Sequence, residues 1–155
     1  VIVGTAPGGG GTSTTAVGGG LDYSAAPTYG QVALTAGFTP DPYQVSMSAG
    51  GPVDAAVALG APCAGYVAAN PDYRLSYSAG QYSLRIFFAS AGDTTLIINA
   101  PDGRWYCDDD SGGNLNPLIQ FSSPASGQYD IWVGSYGSSN LVSGTLTITE
   151  TQLMP

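Results

Sequence analysis

Residues 73–110 read YRLSYSAGQYSLRIFFASAGDTTLIINAPDGRWYCDDD, and their alternation decides the fold. Tyr73, Leu75 and Tyr77 alternate with Arg74, Ser76 and Ser78. Leu84, Ile86 and Phe88 alternate with Ser83 and Arg85, although Phe87 interrupts the polar side. Leu96 and Ile98 then run into the turn signal Pro101-Asp102-Gly103. A side-chain period of two is that of a strand with one face in a core, and Gly, Pro and Asp punctuate the runs as turns do.

The same period extends outward. Upstream are Val32 and Leu34, then Tyr43, Val45 and Met47, then Val53, Ala55, Val57 and Leu59. Downstream are Ile119 and Phe121, then Tyr129, Ile131 and Val133, then Val142, Leu146 and Ile148. No helical stripe of useful length competes with them. About nine short strands at this spacing predict an all-β fold, an antiparallel jelly-roll-type β-sandwich. Residues 1–20 stand apart as a Gly/Thr-rich N-terminal arm, with a β-prone tip, Val1-Ile2-Val3, before PGGGGTSTTAVGGG. Residues 21–155 form a single domain. An arm of this kind either completes a neighbouring copy's sheet or folds back on its own domain.

Composition narrows the function. The 155 residues carry three arginines, no lysine and no histidine against eleven acidic residues, for a net charge of −8. There is no basic patch for nucleic acid or an anionic membrane surface, and no apolar run long enough to span a bilayer. Charged residues are only 9% of the chain, so Ser, Thr, Asn, Gln, Gly and Tyr must make the surface. Cytosolic proteins stay soluble by mixed charge, so this composition points to a secreted, extracellular or cell-surface protein. In that setting Cys63 and Cys107 are expected as a disulfide, and two cysteines without histidine cannot make a zinc site.

Catalytic equipment is missing. Serine has no imidazole or amine base, and the Gly8–Gly11 run lacks the lysine of a phosphate loop. The chain therefore reads as non-enzymatic.

The chemistry that remains sits in PDGRWYCDDDSGGN, residues 101–114. Adjacent carboxylates repel unless a cation lies between them or water solvates them. The cation reading assigns calcium to Asp102, Asp108, Asp109, Asp110 and Asn114, since clustered carboxylate and carbonyl oxygens suit that ion. The other reading is a wet loop that binds nothing. Among ten tyrosines and two tryptophans, Trp132 and Tyr136 are the candidate binding aromatics. By parity Trp132 points away from Ile131 and Val133, either outward or beneath a covering layer or loop.

Four stretches stand together within residues 73–149: SLRIFFASAGDTTLIINAPDG, WYCDDDSGGNLNPLIQF, SGQYDIWVGSY and the closing LTIT. With them this part of the chain resembles the bacterial pre-peptidase C-terminal (PPC) domain. The resemblance implies a small jelly-roll sandwich of exported proteins, with calcium on acidic loops in some members, and no proteolysis of its own. Two functional expectations follow. One is a structural protein whose copies assemble into a filament or matrix through Val1, Ile2 and Val3. The other is an accessory module that holds a secreted hydrolase near protein or polysaccharide.

Overall fold

A computed structural model describes residues 2–5, 20–152, 154 and 155, the first four through backbone pairing. Val1 and the Gly/Thr-rich run at 6–19 lie outside the described residues. Those described form twelve strands and one short helix, a β-sandwich. The larger sheet holds β1 (Ile2–Thr5), β2 (Gln31–Thr35), β4 (Val53–Asp54), β5 (Tyr66–Val67), β6 (Tyr73–Ser78), β8 (Thr94–Asn99), β9 (Arg104–Asp108) and β11 (Gly127–Ser135). The smaller sheet has the order β10-β7-β12-β3, from Leu118–Phe121, Leu84–Ser90, Val142–Thr149 and Tyr43–Ala49.

The core lies between the sheets. Leu75, Tyr77, Leu96, Ile98, Ile131 and Val133 from one side meet Leu84, Ile86, Phe88, Leu146 and Ile148 from the other, all buried. These are the alternating apolar positions of the sequence, so period two placed them correctly. Packing is close at Gly144, where a Cβ would lie 2.5 Å from the Phe88 ring.

The fold departs from expectation in three places. Val53, Ala55, Val57 and Leu59 alternate like a strand, yet only Val53–Asp54 pairs, and Ala55–Leu59 is a helical turn, α1. The Asp54 side chain accepts from the Ala56 and Val57 amides and caps the turn. Alanine favours helix, so a capped alanine-rich run outweighs a weak alternation. Second, β2 lies parallel to β6, so the larger sheet is mixed and not wholly antiparallel. Third, Trp132 is fully buried and cannot be a surface binding aromatic. It does face away from the main core, but that face is covered. Leu21, Tyr23, Ala55, Cys63 and Val67 close over Ile97, Trp105, Cys107 and Trp132 as a second apolar cluster. The two tryptophan rings lie 5.3 Å apart between centroids. Cys63 and Cys107 form the expected disulfide, with Cα atoms 5.2 Å apart. Closing a loop of 44 residues stabilises by roughly 3–4 kcal/mol in the chain-entropy view.

Sheet edges are handled in two ways. β1 pairs antiparallel with β9 of its own chain, matching Ile2 to Tyr106, Gly4 to Trp105 and Thr5 to Arg104. At β3 the Tyr29 hydroxyl meets the Ser48 backbone, accepting from its N–H at 3.3 Å and donating to its carbonyl at 3.5 Å.

Candidate functional site: an acidic loop at the end of β9

The turn from β8 to β9 and the loop after β9 divide the five expected ion ligands. Asp102 belongs to the turn. Its carboxylate accepts from the Arg104 amide at 2.9 Å and from the Tyr106 hydroxyl at 2.6 Å. The extended strand β9, Arg104–Asp108, about 13 Å long, separates the Asp102 turn from the loop that follows Asp108, too far for the two ends to share an ion. Asp108 is committed to shaping the following loop. It accepts from the Ser111 amide at 2.9 Å, the Ser111 hydroxyl at 2.6 Å and the Leu118 amide at 2.9 Å. Asn114 sits at the exposed crown of that loop with φ 54°, followed by Leu115 at φ 62°. Asn116 ties the loop down, its side chain accepting from the Ser90 amide at 3.0 Å.

Asp109 and Asp110 gather with a residue that no local pattern announces. Asp93, in the turn between β7 and β8, brings a carboxylate oxygen to them, and the three ligand atoms lie within 4.8 Å of one another. Two backbone bonds hold that turn in place. The Tyr136 amide donates to the Asp93 carbonyl at 3.0 Å, and the Thr94 amide donates to the Leu115 carbonyl at 3.4 Å.

The electrostatics of the trio are unresolved by the protein itself. Oδ1 of Asp93 and Oδ1 of Asp109 are buried with no hydrogen-bond partner. Burial pushes the Asp109 carboxyl up to about 6, with Asp110, Asp93 and Asp108 adding repulsion. Burial and Asp110 push Asp93 up as well. Arg74 is engaged at 2.6 Å with Asp130 on the larger sheet. Three carboxylates, two of them with a buried oxygen that has no partner, make an all-oxygen donor set of the kind a hard divalent cation takes. Sequence reading found two of the three. The third comes from a different hairpin, and its only local mark is an aspartate in a Gly-Asp turn.

Tyr136 lies on the same rim and is half exposed, as expected of it. A shallow polar cleft of about 350 Å³ opens elsewhere, lined by Gln31, Val32, Ala33, Arg74, Ser76 and Gln128 of β2, β6 and β11.

No family model and no curated protein matches the chain. Among solved structures it is similar to Aeromonas hydrophila PliG, a periplasmic lysozyme inhibitor of g-type lysozyme. The match has a TM-score of 0.41 and 16% identity and covers 77% of this chain and 96% of that one. A likeness that distant carries no functional argument.

Proposed function

We propose that the chain is an exported, non-enzymatic building block that assembles into an extracellular filament or matrix by lending β1 to a neighbouring copy. The observation that carries this reading is the pairing of β1 with the edge of β9. A strand that closes a sheet edge makes the same backbone bonds on its own domain or on another, so exchange costs little. The fourteen residues between Thr5 and Gly20 span up to roughly 45 Å when extended. A domain of this size has a radius of gyration of roughly 14 Å, so the spacer is long enough to cross to a neighbour.

The other features are consistent with that role. The disulfide suits an oxidising compartment, and no described helix is long and apolar enough to cross a membrane. The absence of histidine and lysine supports the non-enzymatic reading. Calcium at Asp93, Asp109 and Asp110 would stabilise the end of β9, the strand that receives β1.

Sedimentation velocity and negative-stain microscopy of the full chain and of a chain lacking residues 1–20 test this. The expected result is polymer from the first and a folded monomer from the second. Monomers at full length, or polymer that survives the deletion, overturn it.

The polar cleft on β2, β6 and β11 favours a second reading, an accessory module that binds polysaccharide. Retention of monomers on an insoluble polysaccharide, lost in a Gln31→Ala and Gln128→Ala double variant, would select it.

A further inference from the structure

The outer face of the larger sheet is divided. On one half, residues 21–23 and α1 close over the tryptophans. The other half, on β2, β6 and β11, carries polar side chains, and the strand register orders them. Gln31, Arg74 and Asp130 stand in one row across the three strands, and Ala33, Ser76 and Gln128 in the next. Side chains two apart on a strand share a face, so the two rows form one terrace. Ala33 and Ser76 are short and exposed, and the longer Gln31, Arg74 and Gln128 rise around them. That difference in length makes the cleft of about 350 Å³.

Asp130 organises the terrace from beneath. It is fully buried, and each of its carboxylate oxygens holds one wall of the cleft. Oδ1 accepts from Nε of Arg74 at 2.6 Å, and Oδ2 accepts from Nε2 of Gln128 at 2.8 Å. Nη2 of Arg74 donates to the Tyr23 and Ala25 carbonyls at 3.0 and 2.8 Å. Among the described residues nothing takes Nη1, so the guanidinium offers its remaining N–H donors to the cleft that it lines. An ionised carboxylate only accepts, so the Gln128 amide turns its nitrogen to Asp130 and its Oε1 away. The cleft therefore presents a fixed donor beside a fixed acceptor, with the Ser76 hydroxyl and the Gln31 amide able to act as either.

We propose that this cleft binds a neutral sugar by its hydroxyl groups, and that Asp130 sets the donor–acceptor pair that selects it. The inference deepens the reading of the cleft as a polysaccharide site and rests on that reading. A sugar hydroxyl accepts from Arg74 and donates to Gln128, with one oxygen or with two adjacent ones. A ligand carboxylate is disfavoured on two counts. It has no proton for Oε1 of Gln128, and the Arg74 charge is already paired with Asp130 in a chain of net charge −8. No aromatic ring is among the described residues that line the cleft, so the sugar is held by its edge and not by stacking of its face.

Affinity electrophoresis of the full chain tests this, with mannan, arabinogalactan and mixed-linkage β-glucan as neutral probes and alginate as the uronate probe. Migration is compared with a polymer-free gel, so the assembly state cancels. Retardation by at least one neutral polymer, unchanged by added salt, is the expected result. Gln128→Met keeps the length of the side chain and removes the acceptor, and should weaken that binding roughly tenfold. Ser76→Val, at an exposed strand position, fills the hollow and should abolish it, and this variant decides if Gln128→Met does not fold. Asp130→Asn frees the Arg74 charge and lets the Gln128 amide turn over, so preference should move from the neutral polymer to alginate, whereas mere loosening of the fold weakens both. Preference of the unaltered chain for alginate, lost in salt, overturns the neutral class and leaves a polysaccharide module. Neutral binding untouched by the variants overturns the site. No retardation by any polymer removes the polysaccharide reading and this inference with it.

Discussion

Asp108 and Asp109 are neighbours in the chain with opposite surroundings. Asp108 uses both carboxylate oxygens on donors of its own loop, two from Ser111 and one from Leu118. Asp109 has a buried oxygen with no partner and faces Asp93 and Asp110. One carboxylate is part of the scaffold and the other is left unsatisfied by it. A run of aspartates is therefore not one ligand set. Asp108 is the last residue of β9, and Asp109 and Asp110 lie in the bend beyond it, so the loop donors take the first and the acidic group takes the next two.

The sharpest way to separate the two is to supply the ion. Calcium at a hundredfold above its dissociation constant should stabilise the protein by about 2.7 kcal/mol. Asp93→Asn and Asp109→Asn should each remove most of that gain, and calorimetry with and without chelator measures it. Equal calcium response in those variants would break the comparison. Asp108→Ala should cost about 2 kcal/mol whether or not calcium is present, because it strands the Leu118 amide. Denaturant midpoints in both conditions check this, and a cost that appears only with calcium would place Asp108 among the ligands after all. Without the ion, Asp109→Asn should stabilise slightly, by under about 1 kcal/mol, since it relieves repulsion at a partly wet site. Asp102→Asn should do least, within about 0.5 kcal/mol, because it sits on an exposed turn and leaves the calcium response intact.

What sequence revealed and what it hid follow from range. The strands were legible because alternation is local, and Leu84, Ile86 and Phe88 needed nothing distant to declare a core face. The disulfide followed from composition and compartment. The short α1 was hidden because Ala55, Val57 and Leu59 satisfy the strand period, and only the Asp54 cap reveals the helical turn. Trp132 shows the limit of parity. Alternation says that a side chain points away from one core, but not that residues 21–23 and 55–67 return to bury it. The acidic group is divided in the same way. Asp109 and Asp110 were readable in place, whereas Asp93 arrives through the pairing of β7 and β8 with strands far along the chain.

The placement of the three arginines has a consequence for durability. With no lysine in the chain, trypsin can cut only after Arg74, Arg85 and Arg104. These lie in β6, β7 and β9, each hydrogen-bonded into a sheet. A protease must draw several residues of extended chain into its cleft, so every cut here requires a sheet to open first. Digestion by trypsin thus becomes a clock for opening of the sandwich, one that the spacer at 6–19 cannot trigger because it offers no cleavable residue.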